Sequence, residues 1–151
     1  MTNDTNPSRI LVGVDGSASS IDALRHGAEI AAAFHAPLEA MTTWQYPVLS
    51  DGYYVVPDWS PEDDAKTILS QVVDEAFGAK RPESIMTSVR QGSPAAVLID
   101  ESEHAAMLVL GSRGHGGFVG MLLGSVSSAC ATHAHCPVLI MHSPKDSSET
   151  S

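Results

Sequence analysis

Basic residues are scarce in this chain. Lys and Arg together number 8 against 18 acidic residues, a formal charge of −10. Nucleic-acid recognition needs clustered Lys and Arg, so that partner class is disfavoured, and anionic membrane surfaces with it. Cysteine is almost missing: Cys130 and Cys136 are the only two. Their spacing matches no redox or zinc motif. They read as small buried residues rather than a disulfide, and a reducing cytoplasm is the expected compartment. No apolar run approaches bilayer-spanning length. The opening MTNDTNPSR has no apolar core and does not read as a signal peptide. No internal repeat is present. Gly-Lys-Ser/Thr, the lysine clamp of a Walker loop, is also lacking, and no base stands poised to orient water at a γ-phosphate. ATP hydrolysis, if any, is therefore expected to be slow.

What is present suits one globular α/β domain: 151 residues, 43% of them apolar. After a polar tail over 1–8, Arg9 to Val14 reads as a strand buried on both faces, ending in the turn Asp15-Gly16-Ser17. Ile21, Leu24, Ala28, Ala31 and Ala32 then recur at helical spacing, with caps offered by Ser17 to Ser20. That helix should stop near His35-Ala36-Pro37. Leu38 to Trp44 is a second strand of weaker pattern. Residues 45–60 hold all three tyrosines and, with Trp44, both tryptophans; they read as a long irregular connection. Its Tyr53-Tyr54-Val55-Val56 patch has three readings: a lid, a dimer contact, or a loop tucked onto its own domain. Ser60-Pro61-Glu62-Asp63 is a strong helix start, and Gly78 is its stop. Ser84 to Arg90 alternates as an edge strand. A helix opens at Ser93-Pro94, and Ala105 to Leu110 is a buried fourth strand. A last helix carries Val126, Ala129, Cys130 and His133 on one side. Cys136 to Met141 is a fifth strand, with a polar tail over 143–151. His133 and His135 sit two apart at a helix end, poor spacing for a shared metal. Strands alternating with helices imply parallel βαβ units. Ligands in such sheets bind at carboxyl strand ends, where the strand order reverses.

The most informative stretch is Ala105 to Val126. A buried strand breaks at Gly111 into a loop with six glycines and enters a helix through Gly124-Ser125. Glycine lets peptide N–H groups turn toward an anion, and a helix start adds free N–H groups and partial positive charge. Arg113 and His115 in the loop could relieve the repulsion between an acidic protein and a polyphosphate. Asp15 can accept from ribose hydroxyls or stand behind a metal, or simply form a turn. Ser125 can donate to phosphate and cap its helix at once. Arg113 can reach a terminal phosphate or stay solvated.

The skeleton Gly111-x2-Gly114-x9-Gly124-Ser125 resembles the signature of the ATP-binding branch of the universal stress protein family. Ile10 to Ser17 and Cys136-Pro137-Val138-Leu139-Ile140 resemble that family as well, so the likeness spans residues 9–142. The resemblance implies a single-domain, Rossmann-like α/β fold: an open five-stranded parallel sheet, strand order 3-2-1-4-5, flanked by helices on both faces. It implies a homodimer through the last strand, Pro137 to Met141. An unpaired apolar edge independently invites such pairing. Carried over, Gly13, Val14 and Asp15 would line the adenosine end, and Thr43 would meet adenine through its backbone. Leu110, Gly111, Gly114, Gly124, Ser125 and Val126, with Arg113, would hold ribose and phosphates. The implied function is a cytoplasmic, ATP-binding stress-response sensor or binding protein, with Mg2+ or Mn2+ as companion ion. The alternatives are a dimerisation module with an empty pocket, or a binder of AMP, cyclic AMP or flavin mononucleotide.

Overall fold

A computed structural model describes residues 8–48, 51–53, 56–112 and 123–142. Residues 1–7 of the expected 1–8 tail, the expected tail 143–151, Tyr54, Val55, and Arg113, Gly114 and His115 of the glycine loop lie outside the described residues.

Five strands form one parallel sheet: β1 (Arg9–Gly13), β2 (Leu38–Trp44), β3 (Ile85–Gln91), β4 (Ala105–Gly111) and β5 (Val138–Met141). Their order is β3-β2-β1-β4-β5, as the resemblance implied. Four α-helices connect them: α1 (Ala18–Phe34), α2 (Pro61–Phe77), α3 (Pro94–Glu101) and α4 (Ser125–His133). From β1 to β3 the chain steps outward one way; from β4 to β5 it steps the other way. Right-handed crossovers therefore place α1 and α2 on one face and α3 and α4 on the other.

The side-chain alternation of β1 shows both faces filled. Ile10 and Val12 join Leu24 of α1 and Val72 and Val73 of α2 in one core. Leu11 joins Leu98 of α3, Leu108, Leu110 and Cys130 of α4 in the other. Ile10, Leu11 and Val12 are fully buried, and each such side chain contributes about 1.5–3 kcal/mol relative to exposure.

Local chemistry explains the boundaries. Ser17 caps α1 by accepting from the Ser20 N–H, and the helix closes on His35 in the left-handed region at φ 56°. Ser60 caps α2 by accepting from the Asp63 N–H; Pro61 opens that helix and Gly78 closes it. β5 is two residues shorter than the apolar run suggested. Pro137 has no N–H to give, although its carbonyl still accepts from Leu108 N at 2.9 Å.

One polar atom departs from this economy. The Thr42 hydroxyl is buried, and no hydrogen-bond partner meets it among the described residues. A buried unpaired hydroxyl destabilises by about 1–3 kcal/mol. Thr42→Val keeps the shape and removes the hydroxyl, so the variant is expected to gain about 1 kcal/mol. In a domain of this size that is a rise of roughly 2–4 °C in Tm, read by calorimetry; a lower Tm would mean that the hydroxyl has a partner in solution.

Candidate functional site

The strand order reverses between β1 and β4, so their carboxyl ends border an open crevice. On the β1 side, Val14 N donates to Met41 O at 2.9 Å, the last link to β2. The chain then turns at Asp15, whose Oδ1 accepts the Ser17 N–H at 2.9 Å, while Asp15 N donates to Ser20 Oγ at 3.3 Å. The turn-forming role of Asp15 is thus visible, and its side chain stands exposed at the carboxyl end of β1.

On the β4 side, Leu110 is buried and Gly111 half-buried. The first turn of α1 presses on Gly111: a Cβ there would lie 2.3 Å from Ser19 Oγ. Ser112 follows, buried, and binds in two directions. Its N–H donates to Met141 O of β5 at 2.8 Å, and its carbonyl accepts from Gly124 N at 2.7 Å. Ser127 Oγ reaches the same Ser112 carbonyl at 3.0 Å. The two ends of the glycine loop are therefore clasped together at Ser112. The Gly124 amide, read from sequence as part of a phosphate seat, is engaged in that clasp.

The donors that meet no partner among the described residues lie one step further on. Helix α4 has Gly124 at its cap position, with no side-chain cap. Its first helical bond runs from Ser128 N to Gly124 O at 2.9 Å. The Ser125 and Val126 amides precede that bond and carry the partial positive charge of the helix start. Ser125 is exposed and Val126 half-buried.

Thr43 comes to the neighbouring end of β2. Pairing of β1 with β2 ends at Gly13–Met41, while pairing of β2 with β3 runs on to Trp44–Gln91. The Met41 carbonyl points toward β1, and the Trp44 carbonyl accepts from Gly92 N beyond β3. By the two-residue period of a strand, Thr43 therefore turns its N–H and C=O toward the space where β1 has already ended. The structure thus gathers Gly13, Val14, Asp15, Thr43, Leu110, Gly111, Gly124, Ser125 and Val126 around one rim. Arg113 and Gly114, also read as site residues, lie outside the described residues. Ser19, Ser112 and Ser127 were missed by the sequence reading. Their only signal was a serine within three residues of a glycine, with the partner far away in the chain.

Other chemistry is muted. Burial, with a smaller contribution from Cys136, pushes the Cys130 thiol up to about 11, and burial also raises Cys136. Neither is poised as a thiolate. Among the described residues no group of three or more His, Cys, Asp or Glu could hold a metal ion, and no helix is long and apolar enough to cross a membrane.

Comparison with known proteins adds to this geometry. Residues 7–142 match the model of the universal stress protein family. A universal stress protein of Mycobacterium tuberculosis is 36% identical over 140 residues, covering 89% of this chain and 48% of the relative. One from Methanocaldococcus jannaschii is 29% identical over 145 residues, covering 91% of this chain and 83% of the relative. This chain spans about half the length of the first curated relatives it matches. Among solved structures, a universal stress protein in complex with cAMP is similar at TM-score 0.69 and 28% identity, covering 93% of this chain and all of that one. The fold is shared by UspA from Lactobacillus plantarum, at TM-score 0.71 and 23% identity over 91% and 99% of the two chains.

Proposed function

The chain belongs to the universal stress protein family, and from that premise we propose that it binds an adenine nucleotide in the crevice between β1 and β4. The observation that carries this reading is the start of α4, which has no side-chain cap and whose Ser125 and Val126 amides meet no partner among the described residues, beside the clasped ends of the glycine loop. It is supported by the relative solved with cAMP. Adenine would lie against the Thr43 backbone, and ribose near Asp15 and Leu110. The phosphates would sit on Ser125 and Val126, with Arg113 and Gly114 completing the seat. The Gly111-x2-Gly114-x9-Gly124-Ser125 spacing favours ATP among these ligands, accompanied by Mg2+ or Mn2+ held by the phosphates themselves. The function is then that of a cytoplasmic binding protein whose nucleotide occupancy alters its stability or its choice of partner. Pairing of the β5 edge with a second copy is part of the same proposal.

Ser125→Asp separates ligand binding from folding. A carboxylate at a helix start is favourable for the helix but repels phosphate. Calorimetric titration with ATP, AMP and cAMP is expected to show ATP affinity weakened at least tenfold, with the ligand-free Tm unchanged or raised. Wild-type protein at 100 times its dissociation constant should gain about 2.7 kcal/mol. Equal ATP heats from both proteins would end the proposal. Retention of cAMP binding alone would move it to the cyclic nucleotide.

A further inference from the structure

The connection after β2 builds a second concavity, between the end of that strand and the start of α2. Trp44 shares the side-chain parity of Leu38 and Ala40, which belong to the α1–α2 core. A groove of about 270 Å³ opens there, and Trp44, Tyr46 and Trp59 are among the residues that line it. Trp44 and Tyr46 meet edge to face, with ring centroids 5.2 Å apart and planes at 90°. Trp59 is 53% exposed, so the groove keeps an aromatic side chain open to solvent.

Its charge is of one sign. Asp58 and Glu62 line it, and no Lys, Arg or His does so among the described residues. Asp58 forms no ion pair among the described residues, while Glu62 has only the exposed Lys66, at 3.7 Å. The start of α2 lies beside the groove and would by itself repel a cation, but Glu62, Asp63 and Asp64 in its first turn offset that end. Aromatic faces next to carboxylates, in a chain of charge −10, attract organic cations through the ring quadrupole. The same carboxylates oppose a nucleotide phosphate.

We propose that this groove binds a small organic cation, a quaternary ammonium group of about the size of choline. The groove is independent of the nucleotide crevice, so either reading stands if the other fails. The chain's only two tryptophans both line it, which makes intrinsic fluorescence a direct reporter.

Choline chloride titrated into the full, nucleotide-free chain at constant ionic strength is expected to give a saturable change in tryptophan emission. Trp59→Leu, with Trp44 left as reporter, should weaken binding about tenfold, the scale of one cation–π contact. Asp58→Asn should weaken it severalfold, with circular dichroism of both variants matching wild type. The neutral isostere 3,3-dimethyl-1-butanol should give no saturation. Absence of saturation with choline through the millimolar range would overturn the proposal. So would an equal response to the neutral isostere, or a choline affinity that Trp59→Leu leaves unchanged.

Discussion

Replacing Arg9 by methionine is expected to remove about 3 kcal/mol of stability, the lower end of the range for breaking a buried ion pair. Arg9 opens β1, and its side chain is only 7% exposed. The guanidinium donates to Glu39 Oε1 of β2, to Glu101 Oε1 at the end of α3 at 2.8 Å, and to the His104 carbonyl. Methionine fills the aliphatic volume, so little cavity is made; what is lost is the charge. Two carboxylates, 12% and 17% exposed, are then left facing each other. Each keeps one partner: Glu39 accepts from Ser88 Oγ at 2.6 Å, and Glu101 lies 3.3 Å from the exposed Arg90. That residual pairing is why the lower end of the range applies. In a domain of this size the loss is a fall in Tm of roughly 6–12 °C, measured alongside the urea midpoint. Adding Glu39→Gln to Arg9→Met should recover part of the loss, because the second change removes an orphaned charge. A single variant within 0.5 kcal/mol of wild type, the range of ordinary surface substitutions, would show the network to be inert.

Arg9 also marks where reading the sequence ran out. The parts written in local chemistry were legible: the Ser60-Pro61 start and Gly78 stop of α2, the Leu38–Trp44 strand, and β3 as an edge strand, although its burial does not alternate as its sequence does. Strand order followed from the family resemblance together with the parallel βαβ pattern. Contacts between residues far apart in the chain were not legible. Arg9 was read only as the first residue of a buried strand, and nothing near it announces Glu39 or Glu101. The crevice divides in the same way. Glycine spacing pointed to the loop, but the engagement of the Gly124 amide by the Ser112 carbonyl depends on how β4 and α4 meet. Asp15 had two readings from sequence, and the observed turn establishes one of them without touching the other.

Gly111→Ala joins fold and crevice in one substitution, and it is expected to impair both. A Cβ at that position would lie 2.3 Å from Ser19 Oγ, which can rotate away. It would also lie 2.8 Å from the Ser19 carbonyl carbon, which cannot. Relief therefore requires the first turn of α1 to move, and that turn is tied to Asp15 through the Ser17 amide and the Ser20 hydroxyl. The expected loss is about 2–3 kcal/mol, in the upper part of the overpacking range. If the crevice binds nucleotide as proposed, affinity should fall at least tenfold as well, since displacing α1 displaces the β1 rim. Gly13→Ala is the control. Its Cβ would meet Leu110 Cδ2 at 2.8 Å and Leu98 Cδ1 at 2.9 Å, the ends of flexible side chains in the opposite core. It should lose about 1 kcal/mol, and because Gly13 and Leu110 both lie on the rim its ligand affinity should fall too, but by less than that of Gly111→Ala. Urea unfolding and calorimetric titration on both variants separate the two effects. If Gly111→Ala binds ATP like wild type once its folded fraction is counted, α1 does not set the geometry of the rim. The close approach at Ser19 would then serve packing alone.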